Sequence, residues 1–216
     1  MVSRTGPDGS PTHEVVYRTL RTRILDGVLA PGVALTLRGV ADDLGVSMTP
    51  VREAVRRLVA ERALELTRSG RVLVPEPDGE RLEELFHARA LLEPELARRA
   101  LPGADQGLIQ RLRAIDAEIE HHVDEGDASG YVRANNRFHA VLYAAANAPA
   151  MTALVESVWL QTAPAMRRVY GLLGTRGLVD YHEAALDALA ARDAEVLAAA
   201  ILADVEQGAA LVNQAG

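Results

Sequence analysis

Residues 37–58, LRGVADDLGVSMTPVREAVRRL, decide how this chain is read. Leu37, Val40, Ala41 and Leu44 recur at helical spacing, Gly45 can take the left-handed conformation that closes a helix, and Ser47 or Thr49 offers an oxygen to cap the next one. Pro50 then falls in a first helical turn, where its missing N–H leaves no bond unmade. Val51, Ala54, Val55 and Leu58 line one face of the second helix, and Arg52, Glu53, Arg56 and Arg57 fall mostly on the others. Two short helices joined by a tight turn, the second carrying cations disposed to meet phosphates or guanine edges, imply a helix-turn-helix.

The flanks extend this motif. Upstream, Val16, Leu20, Ile24 and Leu25 form the apolar face of a helix from about His13 to Asp26, ended by Gly27 and the loop Leu29-Ala30-Pro31-Gly32. Downstream, Leu64 to Thr67 and Val72 to Val74 read as short strands around the turn Arg68-Ser69-Gly70-Arg71. Three helices and a basic hairpin describe a winged helix-turn-helix over residues 12–75. A generic three-helix core with a solvated hairpin is the other reading, but it has no need of Arg68 and Arg71 at the turn.

A length of 216 residues allows one or two domains, and 49% apolar residues suffice for a buried core. The absence of cysteine excludes disulfides, thiolate metal sites and cysteine nucleophiles together. No apolar run approaches the ~20 residues of a membrane helix. Residues 1–11 read as a flexible polar leader without a signal-peptide core, so a cytoplasmic protein without membrane partners is expected. The net charge of −7 is unevenly spread: residues 1–78 hold 11 arginines against 10 acidic residues, and residues 79–216 hold 12 against 20. An acidic rear body is compatible with polyanion binding at the front, because affinity depends on local phosphate neutralisation.

Pro75-Glu76-Pro77-Asp78-Gly79 reads as a stiff linker, centred on 76–79, that keeps two domains distinct. Beyond it, residues 80–214 read as an antiparallel α-helical bundle. Its helices are expected over Arg81 to Ala100, Gln106 to Glu125, Ala128 to Ala146, Ala150 to Gly171, Gly177 to Ala190 and Asp193 to Val212, with kinks or breaks at Pro94 and Pro164. The fold class is therefore mainly α: an N-terminal winged helix-turn-helix and a C-terminal bundle.

Several polar residues in the bundle lie on apolar stripes. Asn135 and His139 share one with Val132, Leu142 and Ala146; His182 lies with Leu178, Ala185, Leu186 and Leu189; Asp204 lies with Leu197, Ile201, Val205 and Gly208. A buried polar group left unpaired costs on the order of 1 to 3 kcal/mol, so these four side chains need partners. They either share one divalent cation or form a hydrogen-bonded core cluster. His87, His121 and His122 read as surface or pocket residues, and His13 as solvated.

Tyr17, the Gly27 and Pro31-Gly32 loop, Leu44-Gly45-Val46-Ser47, Thr49-Pro50-Val51-Arg52-Glu53-Ala54 and Leu58 resemble the N-terminal domain of GntR-type bacterial transcription regulators. The resemblance implies DNA contacts at Arg38, Ser47, Thr49, Arg52 and the wing residues Arg68, Ser69 and Gly70. It also directs attention to Met48, which stands where such proteins commonly carry arginine, and to Arg62, which stands where glycine usually follows the recognition helix. In the rear half, Leu85 to Glu93, Asn135-Asn136-Arg137-Phe138-His139, His182 and Arg192-Asp193 resemble the FCD effector domain of the FadR subfamily. Many of its members bind a metal through an Asp or Asn four residues before a His and through two later histidines. Asn135, His139 and His182 match, and Asp204 replaces the last histidine, leaving a donor set suited to Zn, Ni, Mn or Fe(II).

The expectation is a homodimeric transcription regulator that binds double-stranded operator DNA. A small carboxylate effector would complete the shell of the ion, with Arg89 as a second contact. The same regulator without metal is one alternative. A metal-dependent helical enzyme is the other, and it lacks a distinct general base or nucleophile beside the ligands.

Overall fold

The computed structural model describes residues 11–68, 70–175 and 178–215. Helix α1 (Thr12–Leu25) buries Val16, Tyr17, Leu20 and Ile24. Helix α2 (Leu37–Leu44) starts where the Thr36 hydroxyl accepts the Gly39 N–H and stops at Gly45, whose φ of 64° is the left-handed cap the sequence implied. Helix α3 (Met48–Ala60) buries Val51, Ala54, Val55 and Leu58 against α1 and α2. The Tyr17 hydroxyl donates to Glu61 at 2.9 Å, and the Arg57 guanidinium lies 3.6 Å over the Tyr17 ring, which fixes α3 on α1. Arg62 carries φ 57° where the chain leaves α3, so a side chain occupies a backbone conformation that favours glycine.

The wing is a three-stranded antiparallel sheet in the order β1-β3-β2, formed by Ala34–Leu35 (β1), Glu65–Leu66 (β2) and Val72–Leu73 (β3). Strands β2 and β3 lie within the expected segments. Strand β1 has no counterpart in the sequence reading, because two residues are too few to show an alternating pattern.

The rear half comprises α4 (Gly79–Ala100), α5 (Gln106–Glu125), α6 (Ala128–Ala144), α7 (Pro149–Leu173), α8 (Tyr181–Ala191) and α9 (Ala194–Ala215). Aspartate begins most of them: the Asp78, Asp105, Asp127, Asp180 and Asp193 carboxylates accept N–H groups of the first turns of α4, α5, α6, α8 and α9. The Asp180 cap starts α8 at Tyr181 instead of near 177, which leaves Leu178 outside the helix. Gly79, expected in the linker, is the first residue of α4. Neither Pro94 nor Pro164 ends its helix; both are buried, and packing of the ring offsets the lost backbone bond.

The two halves are not held apart by their linker, contrary to the sequence expectation. Helix α1 lies against α7. Leu160 of α7 is 2% exposed within the apolar core that contains Val16, Leu20, Val51 and Leu58. Gly27, at φ +64°, approaches α7 so closely that a Cβ there would lie 2.5 Å from the Arg167 Cβ. Polar contacts complete the junction: Arg21 pairs with Glu156 at 2.8 Å, Arg168 pairs with Glu76, and Asn136 Nδ2 donates to the Leu25 carbonyl at 2.9 Å. Hydrophobic periodicity marks which face of α1 is buried but cannot say that a distant helix contributes to its core.

Candidate functional site

Two regions carry functional chemistry. In the first, the outer face of α3 exposes Thr49, Arg52 and Arg56, and neither arginine has an ion-pair or hydrogen-bond partner among the described residues. Ser47 holds the N-cap position of α3, but its side chain makes no capping bond, so the hydroxyl and the first-turn amides remain available to an anion. Arg38 on α2 is exposed, with Asp42 only at 3.9 Å. At the wing, Arg68 and Gly70 are exposed, and Gly70 has φ 79°; Ser69 lies outside the described residues. Met48 is half-buried and packs on the apolar core, so its side chain has a structural role at the edge of this face.

The second region lies inside the bundle. Helix α6 supplies Asn135 and His139 one turn apart, α8 supplies His182 in its first turn, and α9 supplies Asp204. His139 Nε2 is 3.1 Å from Asp204 Oδ2, and His182 Nε2 is 4.0 Å from Asp204 Oδ1. The imidazole centroids are 5.4 Å apart. His139 and His182 are buried, and Asn135 Oδ1, His139 Nε2 and His182 Nε2 have no hydrogen-bond partner. The 3.1 Å approach of His139 to Asp204 is an ion-pair contact. Burial alone would raise the Asp204 pKa, but the two imidazoles and Arg89 outweigh it and hold the carboxyl at about 2. Burial, reinforced by His139, keeps the His182 pKa below its ordinary value despite Asp204, which favours the neutral, ligating imidazole.

A buried polar hub orients this cluster. Glu93 of α4 accepts from Arg89 Nε at 2.6 Å, from the Tyr143 hydroxyl at 2.9 Å and from Trp159 Nε1 at 2.9 Å. The same Tyr143 oxygen lies 3.1 Å from His139 Nδ1, so the hub fixes the ring whose other nitrogen faces Asp204. Burial works against the Arg89 charge, but Glu93 at contact and Asp204 beyond it raise its pKa above the ordinary value. Arg89, Asn135, Asn136, Trp159, Tyr170 and Asp204 line one cavity of about 30 Å³. That is room for about one water or one ion, far below the several hundred Å³ of a typical ligand pocket. Asn136 and Trp159 also line the cleft of about 380 Å³ between α1 and the bundle.

Sequence reasoning missed Glu93, Tyr143 and Trp159 as partners of the cluster, because each sits on an apolar stripe where only its contacts reveal its role. It also missed Asp116 of α5, whose Oδ1 is buried without a hydrogen-bond partner 3.7 Å from His182 Nδ1. Burial, with Asp180 and Glu120 adding their charge, pushes the Asp116 carboxyl up to about 7.

Residues 84–207 match the FCD domain family, and residues 12–74 match the bacterial regulatory proteins of the gntR family. The chain is 26% identical over 202 residues to the HTH-type transcriptional regulator McbR of Escherichia coli (strain K12), covering 92% of this chain and 91% of McbR. It is 25% identical over 185 residues to the gluconate operon transcriptional repressor of Bacillus subtilis (strain 168), covering 81% of this chain and 74% of the repressor. The solved structure of E. coli McbR/YncC superposes with a TM-score of 0.88 at 26% identity, covering 100% of this chain and 99% of that one. A putative GntR transcriptional regulator from Rhodococcus sp. RHA1 shares the fold with a TM-score of 0.77 at 24% identity, covering 94% of this chain and 98% of that one.

Proposed function

The chain belongs to the FCD-domain regulators of the bacterial gntR family, and we propose that its regulation runs through a divalent cation held by Asn135, His139, His182 and Asp204. It is a DNA-binding transcription regulator and not an enzyme. Among the described residues no helix is long and apolar enough to cross a membrane. We place its action in the cytoplasm.

The observation that carries the metal reading is the set of three unpartnered acceptor atoms, Asn135 Oδ1, His139 Nε2 and His182 Nε2, beside an ionised Asp204. Three such orphans in a purely hydrogen-bonded core would each cost about 1 to 3 kcal/mol. Imidazole, carboxylate and amide oxygen together suit Zn, Ni, Mn or Fe(II). When bound, the ion would offer a Lewis-acidic position to an effector carboxylate. Arg89, fixed by Glu93, lines the same cavity and would pair with that carboxylate.

A cavity of about 30 Å³ cannot take an organic acid unless a wall moves. The wall shared with the interdomain cleft is Asn136 and Trp159, and Asn136 bonds the carbonyl of Leu25 in α1. Displacing Asn136 to admit effector would therefore loosen α1 from the bundle, and α1 carries α3 through Tyr17 and Arg57. Two chains, each presenting Arg38, Ser47, Thr49, Arg52, Arg68 and Gly70, would read the two half-sites of a short near-palindromic operator as a homodimer.

The test is metal content by elemental analysis, with thermal melting in the presence and absence of chelator. Wild type should carry one ion per chain and lose stability to chelator, while His139→Ala and His182→Ala should carry none and lose the effector response. A wild type without metal after metal-supplemented growth, with melting unmoved by chelator, would make the four residues a hydrogen-bonded core cluster.

A further inference from the structure

The buried cluster uses one edge of His182. Its other edge faces a different environment: Nδ1 lies 3.7 Å from Asp116 Oδ1 and 3.8 Å from Asp180 Oδ1. Among the described residues His182 Nε2 has no hydrogen-bond partner, and Nδ1 meets these carboxylates only at 3.7 and 3.8 Å, although the side chain is only 4% exposed. Asp116 Oδ1 is likewise buried and unpartnered. One ligand atom from each of Asp116, Asp180 and His182 lies within 4.8 Å of the others, close enough to share an ion.

This edge opens outward. His182 and Asp180 line a pocket of about 370 Å³ together with Glu120, Tyr131 and Leu178, and no arginine among the described residues lines it. Low-dielectric walls bearing one sign of charge concentrate counter-ions. Asp180 Oδ1 takes the His182 and Glu183 amides as the α8 cap, and the same oxygen lies 3.8 Å from His182 Nδ1, so the cap itself holds this carboxylate at the site.

We propose that Asp116, Asp180 and His182 Nδ1 form a second divalent-cation site, outer to the buried one and open to the acidic pocket, through which the buried site is loaded. The loading role rests on the metal reading given above. A site whose histidines are 1% and 3% exposed needs a route for a hydrated ion, and His182 is the residue common to the pocket and the cluster. Two carboxylates and one imidazole at the pocket mouth strip the ion of part of its water before it meets the inner donors. His182 Nδ1 ligates only while the inner site is empty; once the inner ion takes Nε2 the ring proton resides on Nδ1, so an outer ion then rests on the Asp116 and Asp180 carboxylates alone and is held more weakly.

The experiment uses the full chain, stripped with chelator, and compares wild type with the double variant Asp116→Asn, Asp180→Asn. Asparagine preserves both shapes and the α8 cap. Titration with Mn(II) followed by electron paramagnetic resonance should find one tight and one weak equivalent in wild type and only the tight one in the double variant. Stopped-flow uptake of Zn(II) against an indicator should be at least tenfold slower in the variant, with the final tight stoichiometry unchanged. Retention of the weak equivalent, or uptake at the wild-type rate, overturns the proposal. His139→Ala separates the two readings, since it should lose the tight ion and keep the weak one. A wild type with only an Asp116-dependent weak ion overturns the buried site and the loading role and leaves the outer site standing. Melting in chelator reports whether the double variant folds; if it does not, Asp180→Asn alone serves for both measurements.

Discussion

Replacing Leu160 by alanine should uncouple the two halves of the chain. Leu160 belongs to α7, yet its side chain is 2% exposed in the core of the N-terminal half. Removing a buried leucine from a packed site costs about 2 to 5 kcal/mol, the transfer of the lost atoms plus the cavity they leave. Little else at the junction compares with that. The part-exposed Arg21 and Glu156 pair is worth at most about 1 kcal/mol, and the Asn136 bond to Leu25 about 1 kcal/mol. Taking about 3 kcal/mol for Leu160→Ala, the N-terminal transition should fall by roughly 12 to 24 °C and separate from that of the bundle in calorimetry. Operator binding by the N-terminal half should persist below that transition, measured by fluorescence anisotropy, while its response to effector weakens. A single cooperative transition lowered by less than about 2 °C, with an intact response, would refute the view that α7 docks the DNA-binding half through this side chain.

Arg52→Ala should lose about 1 to 3 kcal/mol of specific operator binding with unchanged melting; equal affinity by anisotropy would remove Arg52 from the interface. Arg62→Gly should raise stability by about 0.5 to 1 kcal/mol, since relief of a left-handed conformation costing about 1 to 2 kcal/mol exceeds the entropy added by glycine; a lower urea midpoint would contradict this. The Asp116 carboxyl, raised from 3.8 to about 7 in the fold, contributes stability fully present below pH 3.8 and lost as the pH rises towards 7. Asp116→Asn in chelator-treated protein should therefore match wild type near pH 4 and exceed it by about 2 kcal/mol, after allowance for solvent screening, at pH 8. Parallel stability curves across that range would show that the carboxyl is not strained.

The DNA-binding half was legible because its signals are local. Gly45 closes α2 as its position implied, Pro50 sits in the first turn of α3, and Val51, Ala54, Val55 and Leu58 are all buried. In the bundle, stripe periodicity located His139 and His182 among buried residues, and breaks at Leu101 to Gly103 and at Gly126 fell where helices end. Helix α8 starts at Tyr181 because the Asp180 carboxylate caps it there, a boundary that the span from Gly177 does not anticipate. Strand β1 has too few residues to carry a pattern, and the prolines in α4 and α7 are tolerated by packing that a propensity rule does not include.

By itself the sequence determined the elements and their buried faces, since helical period, caps and turn residues act within a few positions of the chain. Only the tertiary structure decided which faces meet. It alone brings Asp204 of α9 within 3.1 Å of His139 on α6, joins Tyr143, Trp159 and Arg89 through Glu93, and sets Asp116 behind His182. It alone seats Leu160 in the core of the other half and bonds Asn136 to Leu25, 111 residues away in sequence. A stripe fixes the direction of a side chain about its own helix axis, whereas its partner is set by how helices distant in sequence pack, a choice that no local pattern encodes.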